Sequence, residues 1–181
     1  MTTEKEQRTA TPQTVMRNRT MKPLIVPISN SNKEVARQLF FDRWGSDFIV
    51  TKGQKHNFED LDGFVAIDND NIVGVLTFKK LNSEIEIISL DSFKENIGIG
   101  AVLLDKIMDL TKHNSIKRLW LITTNDNLNA LKFYQKRNWT ITAIHYDAVV
   151  EARKIKPTIP MTGYYDIPLR HEIELEYEFN K

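Results

Sequence analysis

The 181-residue chain contains no cysteine. Disulfide scaffolds, thiolate metal sites and cysteine nucleophiles are thereby excluded, and a reducing compartment is permitted. There is no surplus of charge either: 25 Lys and Arg against 24 Asp and Glu leave a formal net charge of +1. A dedicated nucleic-acid binder would carry a clear basic excess, so that class is set aside. No apolar run approaches the length of a membrane-spanning helix, and runs such as Leu119-Trp-Leu-Ile122 are short. The N-terminus lacks the apolar core of a secretory signal. The four histidines (His56, His113, His145, His171) show no metal-ligand spacing, so no metal is expected. Neither a Gly-Lys-Ser/Thr phosphate loop nor a Gly-x-Ser-x-Gly elbow occurs. What remains is 41% hydrophobic and 27% charged, the composition of a soluble domain with a full core. The expectation is a cytoplasmic protein with neither membrane nor nucleic acid as partner.

Residues 1–22 are rich in Thr, Gln and Arg and poor in large apolar side chains. Such a segment cannot bury enough surface to offset its ordering entropy, so it reads as a mobile tail before a single domain over 23–181. From Leu24 onward strand and helix signals alternate. Strands are expected at 24–28, 63–68, 71–79 and 84–90, with tight turns at Asn69-Asp70 and Leu81–Ser83. Ser31 and Glu34 have the spacing of a capping box for a helix that Gly45 stops. Further helices are expected from Gly98 to about His113 and over 127–137, with strands at 117–123, 141–150 and 172–179. Residues 152–169, with three prolines and Gly163, read as an ordered loop or lid. The pattern is a mixed α/β fold with antiparallel hairpins first and a strand–helix–strand–helix unit after them.

The informative stretch runs from Glu84 through Gly98-Ile-Gly100. A strand that enters a glycine-containing loop and then a helix suits a phosphate, because backbone N–H groups converge there and the helix N-terminus adds positive potential. Downstream, Asn127, Ala130, Phe133-Tyr134 and Trp139 stand at the spacing Asn-x-x-Ala-x-x-Phe-Tyr-x-x-x-x-aromatic. The ordered pair of motifs resembles the GNAT superfamily of acyl-CoA-dependent N-acyltransferases, in element order over about 24–150 and most sharply over 84–139. Three positions depart from the family pattern: Glu95 stands where Gln or Arg is usual, Asn96 follows it, and Asn138 replaces the glycine before the aromatic. Both asparagines tolerate a left-handed backbone.

The resemblance implies a mostly antiparallel central sheet with one splayed parallel pair and flanking helices. It also implies acetyl-CoA as co-substrate, with an amine, small molecule or protein, as acceptor. Pantetheine would run along Ile88, Ser89 and Leu90, and the pyrophosphate would rest on N–H groups of Asn96, Ile97, Gly98, Ile99, Gly100 and Ala101. Asn127 would bond the cofactor from the other side, and Lys94 is either a nearby positive charge or a solvated loop lysine. Glu84 is the first candidate base and Glu86 the second, since residues two apart share a strand face; the alternative is a solvated face. Leu90 N–H would hold the oxyanion, and Tyr134, protonated at neutral pH, would give a proton to the leaving sulfur. Phe40, Phe41 and Trp44 read as core or as acceptor-pocket lining, and Glu172, Glu174, Glu176 and Glu178 as a solvated strand face. Direct attack in a ternary complex is the expected reaction. A non-catalytic acyl-CoA-binding sensor on the same fold is the alternative, and the late strands offer a surface for a homodimer.

Overall fold

Left-handed turns set the path of the chain. A computed structural model describes residues 22–94, 98–113 and 115–179. The expected tail up to residue 21 and the loop residues Glu95, Asn96 and Ile97 lie outside the described residues. In chain order the elements are β1 (Leu24–Pro27), α1 (Lys33–Trp44), β2 (Phe48–Thr51), β3 (Gln54–Asn57), β4 (Asp62–Asp68) and β5 (Asn71–Leu81). They continue as β6 (Glu84–Ser92), α2 (Ile99–His113), β7 (Arg118–Thr124), α3 (Leu128–Gln135), β8 (Trp139–His145), α4 (Ala148–Ile155) and β9 (Glu172–Tyr177). Asn69 and Asp70, with φ of 47° and 62°, make the two-residue turn between β4 and β5 whose twist matches its strands. Asn138 takes φ 62° just before β8, so an asparagine does adopt the left-handed backbone there.

Seven strands form one mixed sheet in the order β1-β4-β5-β6-β7-β9-β8. All its pairings are antiparallel except β6 with β7. This is the expected fold class, a mixed α/β arrangement with one parallel pair and flanking helices. One face is covered by α2 and α3, where Ile85, Ile87, Leu103, Leu104, Ile107, Leu119, Leu121 and Leu175 are buried together. On the other face Ala36 and Phe40 of α1 pack with Ile49, Phe58, Val65, Val75 and Ile88. Phe40 is therefore core, whereas Phe41 and Trp44 keep exposed surface. Among the described residues no helix is long and apolar enough to cross a membrane.

Four expectations are corrected. The capping box does not form, because Glu34 pairs with Arg37 at 2.6 Å and the N-cap is Asn32. Asn32 instead ties β1 to the helix, donating to Pro27 O at 3.0 Å and accepting from Ser29 N–H at 2.9 Å. The strand expected over 141–150 ends at His145. Asp147 then turns left-handed (φ 55°), held by Arg170 at 2.7 Å, and Val149 and Ala152 bury one side of α4. The segment 152–169 thus begins inside a helix rather than as a loop throughout. The fourth is an omission: β2 and β3 form a separate hairpin turned by Lys52 (φ 49°) and Gly53 (φ 71°).

Gly74 of β5 lies under the start of α2. A Cβ there would sit 2.4 Å from Ile99 Cγ2 and 3.1 Å from Asp91 O. Ile99 is buried and cannot swing aside, so Gly74→Ala is expected to cost about 1–3 kcal/mol, read as a Tm lower by several degrees in thermal denaturation.

Candidate active site

The parallel ladder between β6 and β7 runs from Glu84↔Arg118 to Ile87↔Leu121 and stops there, although β6 continues to Ser92 and β7 to Thr124. Beyond that rung β6 is held by β5 alone and β7 by β9 alone. Ile88 stands opposite a bulge between Thr77 and Phe78. The two strands therefore part into a wedge at Ile88, Ser89 and Leu90. An inner strand edge with unpaired backbone groups suits an extended amide-bearing chain such as pantetheine.

Two helices flank the wedge. Gly98, with φ 75°, turns the chain into α2, whose first turn carries no acidic residue. Val102 N–H bonds Gly98 O at 3.1 Å, so the helix ladder starts at once and the N–H groups of Ile99, Gly100 and Ala101 head the helix. Gly100 lies where a Cβ would meet Phe133 of α3 at 3.6 Å and Leu90 at 4.0 Å. That brings α2, α3 and β6 to one point. The described part of this cradle fits an anionic diphosphate ligand: a left-handed glycine, a fifteen-residue helix beginning at it, and no acid in its first turn. Lys94 is committed elsewhere, to Asp68 at 2.7 Å. Asn127 caps α3, its Oδ1 accepting from Ala130 N–H at 3.1 Å.

Tyr134 is buried, packed between Phe133 and Trp139 at ring distances of 5.1 and 5.2 Å. Burial and the nearby Asp91 carboxylate push its hydroxyl well above the usual phenol range, so it keeps its proton. Asp91, absent from the sequence reading, is buried on β6 beyond the last rung. Trp44 Nε1 donates to it at 3.0 Å and Arg43 lies 3.4 Å away. Burial raises its pKa, while the bonds from Trp44 and Arg43 oppose that rise. Trp44 thus faces the site, through its nitrogen.

The two candidate bases part company. Glu84 is half-exposed and paired with Arg118 at 3.1 Å. Glu86 is 4% exposed. Burial pushes its carboxyl from 4.5 up to about 7, against the hydrogen bond from Thr51 and the charges of Lys52 and Lys79. Thr51 Oγ1 donates to Glu86 Oε1 at 3.2 Å and meets His56 Nε2 at 2.9 Å. Thr51, His56 and Glu86 line a cavity of about 160 Å3 with Lys52, Gln54, Leu81 and Trp120.

The glutamates of β9 are not the solvated face the sequence suggested. Glu172 and Glu174 are 2% and 5% exposed, covered by the β2–β3 hairpin. Lys52 N–H donates to Glu172 at 2.8 Å and Lys52 Nζ to Glu174 at 3.1 Å. Arg118 reaches Glu174 at 2.5 Å and Glu176 at 2.9 Å, and His145 meets Glu174 at 2.9 Å. Burial raises the Glu172 carboxyl; at Glu174 burial is outweighed by the bonds from His145 and Lys52, which hold it below the usual range. The late loop is clamped to the end of β7. Asn125 Oδ1 accepts from Arg170 and His171 N–H at 3.0 and 2.9 Å, and buried Asp126 accepts from Tyr164 N–H at 2.8 Å. Tyr164 in turn receives Arg43 at 3.2 Å, so loop and α1 meet beside Asp91.

Comparison with known proteins agrees with this geometry. Residues 30–139 match the Acetyltransferase (GNAT) family. The chain is 41% identical over 155 residues to "Uncharacterized protein YxbD" of Bacillus subtilis (strain 168), covering 85% of this chain and 98% of that protein. It is 38% identical over 151 residues to "Uncharacterized protein YdhI" of the same strain, covering 83% and 94%. The solved GNAT family acetyltransferase from Elizabethkingia anophelis with acetyl-CoA bound superposes with a TM-score of 0.65 at 20% identity, covering 87% of this chain and 99% of that one. At that identity it shows a shared fold.

The raised carboxyl of Glu86 has a consequence for stability. A carboxyl whose folded pKa lies above its unfolded value favours the fold while protonated, below about pH 4.5, and loses that advantage as pH rises through about 7. Glu86→Gln, neutral at every pH, is therefore expected to be more stable than the parent at pH 8, by up to about 3 kcal/mol at 1.36 kcal/mol per pH unit. Urea denaturation at pH 8 and at pH 4.5 checks this, and the gap should close at the lower pH.

Proposed function

The chain belongs to the GNAT acetyltransferase family, and from that premise we propose that it moves an acetyl group from acetyl-CoA to a primary amine by direct attack in a ternary complex. The observation that carries the reading is the wedge past Ile87↔Leu121, which opens between the start of α2 and buried Tyr134. The N–H groups from Asn96 to Ala101 receive the pyrophosphate, and Ile88, Ser89 and Leu90 receive pantetheine. Asn127 contacts the cofactor from α3. Residues 23–181 act as the catalytic domain, in the cytoplasm; exposed Ile141 and Ile144 on edge strand β8 are the surface a homodimer would use.

The amine nitrogen forms a bond to the thioester carbonyl carbon, and the carbon–sulfur bond breaks. Leu90 N–H stabilises the charge that develops on the carbonyl oxygen. One proton must leave the nitrogen, and Glu86 takes it through water. The geometry favours Glu86 over Glu84 for that role: its carboxyl titrates at about 7, where a base is half ionised at working pH, while Glu84 is committed to Arg118. Tyr134 supplies a proton to the departing sulfur, and burial is what keeps that proton in place until the thiolate forms. The acceptor enters past Asp91, Trp44 and Tyr164, the groups that meet at the end of α1.

Calorimetric titration with acetyl-CoA, followed by an amine panel monitored through thiol release, tests the reading. Saturable binding with thiol release is expected, and the absence of binding would overturn it. Tyr134→Phe should leave acetyl-CoA affinity intact and lower kcat by about 100-fold or more. Of the two carboxylates, Glu86→Gln should show the larger loss in kcat.

A further inference from the structure

The β2–β3 hairpin does more than cover the buried glutamates. Thr51 has a single hydroxyl hydrogen and two neighbours that compete for it, Glu86 Oε1 at 3.2 Å and His56 Nε2 at 2.9 Å. All three side chains are buried, at 8%, 4% and 4% exposure for Thr51, Glu86 and His56. We propose that Thr51 and His56 are positioning residues that set the basicity of Glu86: Thr51 as the donor to the carboxylate, and His56 as the group that fixes which way the Thr51 hydroxyl points. The inference rests on the reading of Glu86 as the base for acetyl transfer.

The logic lies in the ring tautomer. With hydrogen on Nε2, His56 donates into the Thr51 oxygen, and the Thr51 hydrogen is left for Glu86. With hydrogen on Nδ1, Nε2 becomes an acceptor and draws the Thr51 hydrogen away from the carboxylate. Burial and the charge of Lys79 lower the His56 pKa and keep the ring neutral, so the choice is between these two tautomers. An ionised Glu86 selects the first, because a buried carboxylate is stabilised most by a donated hydrogen bond. Other charges face Glu86 from three sides: Lys52 from the hairpin turn, Lys79 from β5 and Glu174 from β9. Glu174 is itself tied to Lys52, Arg118 and His145. The cavity beside Glu86 reaches the surface at exposed Lys52, Gln54 and Leu81, which gives water a route to the base. Trp120 lines the same cavity, and its buried Nε1–H has no protein acceptor among the described residues.

The test is the pH dependence of kcat/KM in Thr51→Val, which keeps the shape and removes the hydroxyl, and in Thr51→Ser, which restores it. Loss of one hydrogen bond to the carboxylate should move the acid limb up by about one pH unit. Activity would then fall roughly fivefold at pH 7 and recover by about pH 9, with acetyl-CoA affinity unchanged; Thr51→Ser should return the limb to its original place. A loss that is uniform across pH, or a limb that does not move, overturns the proposal. The Glu86 carboxyl can also be followed directly by carbon NMR titration, without any substrate. Its midpoint should rise in Thr51→Val, and the His56 ring should carry hydrogen on Nε2 above that midpoint. If the parent protein acetylates no amine, the transfer reading fails. The titration still decides the hydrogen-bond claim, which an unmoved midpoint or an Nδ1–H ring overturns.

Discussion

The constraint on which the rest depends is that two parallel strands are held together over four rungs and then let go. A parallel pair inside a sheet ordinarily keeps its ladder, because each lost rung leaves an N–H and a C=O to be satisfied elsewhere. Here each arm is secured by its outer neighbour. Leu76↔Leu90 and Gly74↔Ser92 hold β6 to β5, while Ile122↔Glu174 and Thr124↔Glu172 hold β7 to β9. The wedge can therefore stay open with only the inner edges unpaired. Those edges are where a substrate with its own amides can bond. The close contact of Gly74 with Ile99 fixes where α2 begins relative to that opening, and so aims the helix N-terminus at it.

The face of the sheet that meets the β2–β3 hairpin carries an electrostatic problem of its own. Strands β6 and β9, on either side of β7, bring Glu84, Glu86, Glu172, Glu174 and Glu176 onto one surface. Left buried without partners, such a row would be strongly destabilising. Arg118 reaches three of them, and Lys52 two, one through its backbone N–H. The cover comes from a hairpin whose turn residues Lys52 and Gly53 are both left-handed, which presents the Lys52 amide and ammonium to the same pair of carboxylates. Glu86 is left with only a hydroxyl as direct partner. Burial raises its carboxyl to about 7, against the bond from Thr51 and the charges of Lys52 and Lys79.

Much of the frame was legible because it follows from local rules. The Asn69-Asp70 turn, the Gly45 stop and the positive φ at Asn138 are residue-type preferences that survive into the fold. So does the order of the expected strands and helices from Leu24 to Trp139, apart from the β2–β3 hairpin, with the two motifs at its centre. The misses at the β9 glutamates and at Asp91 share a cause, which is contact between segments distant in the chain. Glu172 and Glu174 alternate with Ile173 and Leu175 as a half-exposed strand would, and only the arrival of the hairpin from 120 residues earlier turns the polar side into an interior. Ser31 and Glu34 had the right spacing for a capping box, but Arg37 and the carbonyl of Pro27 offered better partners to Glu34 and Asn32. Nothing in the local sequence of Asp91 separates it from a loop acid; its burial depends on Trp44 and Arg43 at the far end of α1.

The choice between Glu84 and Glu86 shows the same limit at the scale of one rung. Strand periodicity puts both on one face and can do no more, since it treats them as equivalent. What separates them is the register with β7: Arg118 stands opposite Glu84 and Trp120 opposite Glu86. The guanidinium at the first rung pairs with its carboxylate at 3.1 Å, and the indole at the third offers its neighbour no charge. A shift of one residue in that ladder would point Arg118 away from Glu84 altogether, since neighbouring residues face opposite sides of the sheet. What sets the two glutamates apart is thus written as much in the sequence of β7, and in the register that the parallel ladder imposes before it opens, as in the glutamates themselves.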